Sequence, residues 1–156
     1  LSSSFRNTNW FSFIMGENMI KITYNTLTAK EWAYLRTSVN WSIHSEKDFL
    51  IALKNSVLII SAYYDDKLVG MARIIGDNKL SFFIQDVIVL PDYQNMGIGT
   101  LIVNSLLNYI YSHAAPHAVV DLMASKGKES FYEKFGFKKR NGVQKGFGME
   151  LVIDPN

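Results

Sequence analysis

Three features of the sequence predict a single α/β domain built on a mixed sheet. Runs of period 2 and runs of helical period follow one another in the order β-α-α-β-β-β-α-β-α-β-β. The longest helical stretch opens on a glycine turn that follows a long apolar strand. The chain has 156 residues, 48% of them hydrophobic and 19% charged, which is enough for one core and too apolar for a disordered segment.

Each element has a local cause. Ile20, Ile22 and Tyr24 alternate with Lys21 and Thr23, a half-buried strand. Thr28 caps a helix from Ala29 to about Val39, with Glu31 placed for a capping box and Trp32, Leu35 and Val39 at helical spacing. Ser45 caps a second helix from Glu46 to about Asn55, with Asp48 near its positive end. Val57 to Tyr64 reads as a central strand, turned by Asp65 and Asp66 into a hairpin with Leu68 to Ile75. Gly76-Asp77-Asn78 turns again into a strand from Leu80 to Val89, ended by Pro91. From Gly97 to Ser112 the residues Ile98, Leu101, Ile102, Leu106 and Ile110 make one helical face. Ala118 to Met123 reads as a short buried strand. Glu129 to Phe135 reads as a short helix stopped by Gly136, and strands are expected from Phe137 and over Gly148 to Ile153. Residues 1–18 stand apart as a stretch added to the native chain or a peripheral arm, and residues 19–156 form the domain. Met15 and Met19 are candidate starts, and the run lacks the basic start and cleavage site of a secretory signal.

Composition excludes several classes of function. There is no Cys, hence no disulfide scaffold, thiolate metal site or thiol nucleophile. His44, His113 and His117 lack metal-site spacing, so no metal is expected. A net charge of +2 is too small to suggest a nucleic-acid partner, although Lys126 to Lys145 holds a local basic patch. No run of 18 apolar residues suggests a membrane span.

The chemistry is concentrated between Ile84 and Thr100. The first turn of a helix offers free N–H groups and a positive dipole end, and glycines let a phosphate approach them. A strand, a Gly-x-Gly turn and a helix therefore read as an anion cradle. Gly99 is followed by Thr100 and Leu101 rather than Lys-Ser/Thr, which excludes a Walker loop. Ile102 stands where a dinucleotide fingerprint needs its third glycine. The glycines could also serve only close helix–sheet packing.

Gln94-Asn95-Met96-Gly97-Ile98-Gly99 resembles the Gln/Arg-x-x-Gly-x-Gly/Ala motif of the GNAT superfamily, the Gcn5-related N-acetyltransferases. Phe131-Tyr132-Glu133-Lys134-Phe135-Gly136-Phe137 resembles the family's second signature, about 35 residues further on. Element order agrees over residues 20–153, and the combined pattern is similar to small-amine acetylators of the glucosamine-phosphate and aromatic-amine kinds. The resemblance implies a mixed sheet of six to seven strands with a splay between two central strands, flanked by about four helices. It implies acetyl-CoA as acyl donor, with the pyrophosphate on the N–H groups of Met96, Gly97, Ile98, Gly99 and Thr100, and with Gln94 and Asn95 in the loop. Pantetheine would pair with the strand edge at Ile88 and Val89.

By the same resemblance Tyr132 is the acid that protonates the leaving thiolate, with an ordinary half-buried tyrosine as the alternative. Asp86, an acid inside an apolar strand, is the expected base or ammonium anchor, or else a structural hydrogen-bonded Asp. Strand period puts Gln85 and Asp86 on opposite faces unless a bulge intervenes. Arg73 could pair with Asp86 or with an acidic group of the substrate. Lys128 stands where many relatives carry an Asn that contacts CoA. The acceptor would lie among Trp32 to Trp41, Asn40 to His44 and Asn141 to Met149, with Trp32, Tyr34, Trp41 and Phe147 as aromatic surface. The expected activity is acetyl transfer to the primary amine of a small molecule. A protein or peptide amine and a non-catalytic acyl-CoA-binding module are the alternatives. A cytoplasmic location is expected. A homodimer fits the family, with the apolar run Trp10 to Met15 as one candidate interface.

Overall fold

The computed structural model describes residues 10–15 and 18–152. It forms two compact units, one up to Leu122 and one from Met123. The first holds a six-stranded sheet in sequential order: β1 (Trp10–Met15), β2 (Asn18–Tyr24), β3 (Leu58–Tyr64), β4 (Lys67–Gly76), β5 (Ser81–Val89) and β6 (Val119–Leu122). Neighbours are antiparallel except β5 and β6, which run parallel and so need a crossover. That crossover is α3 (Ile98–His113). Between β2 and β3 lie α1 (Ala29–Ser38) and α2 (Glu46–Lys54). The second unit holds α4 (Glu129–Glu133).

Local chemistry accounts for most of these boundaries. Thr28 and Glu31 make the full capping box, with the Thr28 N–H donating to Glu31 Oε2 at 2.8 Å and the Glu31 N–H donating to Thr28 Oγ1 at 3.2 Å. Asp65 and Asp66 adopt φ of 45° and 64°, the paired left-handed residues of the two-residue turn that joins twisted strands. Asp77 Oδ1 accepts the N–H groups of Lys79, Leu80 and Ser81 at 2.7–3.0 Å and so closes the next turn.

Helices cover both faces of the sheet. A Cβ on Gly70 of β4 would meet Ile102 Cδ1 of α3 at 3.0 Å and the Ile88 carbonyl at 2.7 Å, so glycine lets β4, β5 and α3 close up. Three residues on, and therefore on the opposite face, Arg73 lies over Trp32 of α1. The α3 face is fully buried, with Ile98, Ile102, Val103, Leu106 and Ile110 meeting sheet residues such as Ile60, Ala72, Ile74 and Ile84 in one core.

Trp10–Met15, part of the stretch expected to be foreign or a peripheral arm, pairs along all six residues with β2 as an edge strand; residues 1–9, 16 and 17 lie outside the described residues. The structure corrects the sequence reading in two places. β6 was expected to be buried but is half exposed, because it is the opposite edge of the sheet. The two strands expected after Gly136 do not form among the described residues. That stretch is rich in Lys and Gly, poor strand formers, and Val143, Phe147, Met149 and Leu151 are each more than 65% exposed. Ile153 lies outside the described residues.

Candidate active site

The glycine turn opens α3. Gly97 is the N-cap of α3 with φ of 81°, a left-handed conformation that strains any residue with a Cβ. It has no side chain to cap the helix, and the first ladder bond is from the Leu101 N–H to the Gly97 carbonyl at 3.1 Å. The N–H groups of Ile98, Gly99 and Thr100 therefore precede any helical acceptor. Gly97 and Thr100 are exposed and Gly99 is half-buried, so an anion can reach them. Asn95 also takes positive φ, at 61°. Gln94 Nε2 donates to the Val89 carbonyl at 3.0 Å, tying the loop to the end of β5. These residues fit a pyrophosphate.

Next to this loop the sheet opens. β6 pairs only with Ser81 to Ile84 of β5 and ends at Leu122, whereas β5 continues to Val89. From Gln85 onward β5 keeps β4 on one side and has no strand on the other among the described residues. Ile88 and Val89 thus lie on a half-open edge, joined by the 3-10 turn Pro91–Tyr93 and the loop after it to the turn at Gly97.

At the head of that edge is a β-bulge. Arg73 pairs with Gln85 and Met71 with Ile88, so two residues of β5 stand against one of β4. Asp86 takes up the irregularity with φ of 52°. This is the bulge that Gln85 and Asp86 require if they are to share a face. It brings the Asp86 carboxylate, 2% exposed, between two guanidiniums. Arg36 Nη1 donates to Oδ1 at 2.5 Å and Arg73 Nε to Oδ2 at 2.7 Å. Asp86, expected as a base or ammonium anchor, therefore has protein cations on both oxygens. Of the two alternatives for Arg73, the pairing with Asp86 is the one the structure shows.

Arg36 was missed by the sequence reading. Its signal was present: it falls four residues after Trp32 and so shares the stripe of α1 that faces the sheet. Its Nε also donates to the Ser42 carbonyl at 2.7 Å, and its guanidinium lies 5.5 Å from the Trp41 ring centre. Arg73 reaches Ser56 Oγ at 3.3 Å and lies 4.7 Å from the Trp32 ring centre. Trp32 is core, packed 4.6 Å from Phe49, with its indole N–H buried and unpartnered among the described residues. Tyr34 is exposed.

In the second unit, Tyr132 packs edge-on against Phe131 and Phe137. Burial pushes its phenol above the ordinary value of 10.0, so it stays protonated throughout the neutral range. Lys128 is the N-cap of α4 and offers that helix no side-chain cap. Phe147 is exposed, with its ring against Gly142.

Comparisons with known proteins agree with this geometry. Residues 27–152 match the acetyltransferase (GNAT) domain family. An uncharacterized N-acetyltransferase, ycf52, of Pyropia yezoensis is 37% identical over 119 residues, covering 73% of this chain and 67% of the relative. Among solved structures, a probable acetyltransferase from meticillin-resistant Staphylococcus aureus superposes with TM-score 0.76 at 30% identity, over 85% of this chain and 100% of that one. A GNAT-family acetyltransferase from Streptococcus pneumoniae superposes with TM-score 0.73 at 29% identity, over 88% and 100%. With the α/β fold, the uncapped helix and the half-open strand in place, the chain belongs to the GNAT family of N-acetyltransferases, whose acyl donor is acetyl-CoA.

Proposed function

We propose that this enzyme acetylates the primary amine of a small molecule by direct attack on the thioester. The observation that carries the reading is the continuity of the half-open edge at Ile88 and Val89 with the uncapped N-terminus of α3 at Gly97. Acetyl-CoA supplies the activated acyl group. Backbone N–H groups from Met96 to Thr100 hold its pyrophosphate. The backbone of Ile88 and Val89 receives the pantetheine as an added strand, and N–H donors there meet charge developing on the carbonyl oxygen.

The amine must be neutral to attack, so its proton leaves to water. The nitrogen–carbon bond forms, the attacking nitrogen sheds a second proton to water, the carbon–sulfur bond breaks, and the sulfur takes a proton that solvent then restores to the donor. Tyr132 is assigned that donation from its place in the FYEKFGF motif and from its protonated phenol. With both oxygens engaged by arginines, Asp86 is assigned the positioning of Arg36 and Arg73 instead of proton removal.

Release of CoA thiol from acetyl-CoA over a panel of amines tests this reading. The protein has no Cys, so a thiol reagent reads only the product. Turnover with one class of small amine is the expected result. Turnover with peptide N-termini or lysyl peptides alone would move the assignment to protein substrates, and no turnover with either would favour an acyl-CoA-binding module.

A further inference from the structure

We propose that Arg36 and Arg73 form a recognition site for an anionic oxygen group, a carboxylate or phosphate ester, carried by the acceptor amine. The inference rests on the acetyltransferase reading and names the class of its acceptor.

Charge is the first consideration. Two guanidiniums face one carboxylate, and among the described residues neither arginine has another acidic partner. The cluster is therefore one positive charge in excess, in a partly buried place where an uncompensated charge is costly. Hydrogen-bond supply is the second. Arg36 uses Nε on Ser42 and one Nη on Asp86; Arg73 uses Nε on Asp86 and one Nη on Ser56. Each keeps its other Nη with two N–H donors and no acceptor among the described residues. Arg73 also covers the ring of Trp32, whose N–H is itself buried and unpartnered among them. The unfilled capacity is all donor, which suits an anion and repels an ammonium.

Access is the third. The two arginine side chains are 15% and 14% exposed, against 2% for Asp86, so the guanidiniums are confined but not sealed. Location is the fourth. The cluster is fixed by the bulge at Asp86, two and three residues before Ile88 and Val89, or about 7–10 Å along the strand. An acceptor whose amine meets the acyl group at the open edge could reach the arginines with an anionic group several bonds away. The Arg36 bond to the Ser42 carbonyl fixes the loop between α1 and α2 beside the same cluster.

The test has a binding arm and a turnover arm. In the first, benzoate, glutarate and phosphoethanolamine are titrated into the full chain at constant ionic strength. Tryptophan emission is the readout, because Trp32 and Trp41 lie against the two guanidiniums. Saturable changes are expected in the wild type, weakened about ten- to a hundredfold in Arg36→Gln and less in Arg36→Lys, which keeps the charge but loses the fork. Carboxylates and the phosphate ester are compared directly, and the tighter one names the source. In the second arm, amines matched in size with and without an acidic group are compared by kcat/KM. Acidic amines should be preferred, and Arg36→Gln should erase the preference while the affinity for acetyl-CoA stays unchanged.

Arg73→Gln repeats both arms, with its thermal midpoint recorded to separate loss of fold from loss of recognition. No saturable response to any of the three anions in the wild type would overturn the proposal, as would a preference for neutral amines. Failure of the acetyltransferase reading would show separately, as absent acetyl-CoA binding, while the anion titration is read without the cofactor.

Discussion

Asp86 shows how much a single residue can be made to hold. It is a non-glycine residue in left-handed backbone, it is buried, and it is charged, each a cost on its own. The two arginines offset these costs, so removing the carboxylate leaves like charges facing one another. Asp86→Ala should lose about 3–5 kcal/mol of stability, read as a lower urea midpoint at constant slope. Tyr132 is the other residue whose environment makes a prediction. Burial raises its pKa, so the phenol keeps its proton up to the ordinary value of 10.0 and loses it only above that value, which bounds the donation proposed for it. Turnover should therefore persist to about pH 10 and fall beyond it. Tyr132→Phe should lower kcat about a hundredfold, with acetyl-CoA affinity kept and the alkaline fall gone. Both residues stand out in the sequence, Asp86 as an acid in an apolar strand and Tyr132 within its motif. What Asp86 touches was not, because a bulge is set by the pairing of two strands and leaves no local mark in either.

Among the elements, those fixed by local chemistry were the legible ones. The capping box of α1, the Ser45 cap of α2 and the Asp65-Asp66 turn each depend on residues within four positions of one another. Thr28→Ala should cost about 1 kcal/mol, measured as a fall in thermal midpoint, because it unsatisfies the Glu31 N–H. The Asp77 turn carries a pH signature. The N–H groups of Ser81, Leu80 and Lys79 hold its carboxyl below 3.8, so its stabilisation is present above that value and lost as pH falls through the lowered one. Acid unfolding of Asp77→Ala should start from lower stability and show a shallower dependence on pH in that range. The less legible elements depend on distant partners. β1 exists because β2 offers it an edge, and the apolar residues after Gly136 make no strand because nothing pairs with them among the described residues.

Across the whole molecule, one sheet does two jobs. Its antiparallel part, β1 to β5, carries the core, and its parallel end stops short and, among the described residues, leaves the second half of β5 open on one side. The family match begins at residue 27 and takes in α1, the bulge, the glycine turn and the second unit as far as residue 152. Family and donor were legible because a glycine turn at the start of a helix leaves a motif in the sequence. The Arg36, Arg73 and Asp86 cluster was not, because its members meet only when α1, β4 and β5 are folded together.

The proposed reaction depends on the N-terminus of α3 holding the cofactor. Calorimetric titration of acetyl-CoA into the wild type and into Gly97→Glu probes that dependence, with circular dichroism to show that both are folded. Saturable one-to-one binding is expected in the wild type and none in the variant, whose added carboxylate puts a negative charge beside the N–H groups proposed to hold the pyrophosphate. Equal binding by a folded Gly97→Glu would place the cofactor elsewhere and contradict the assignment.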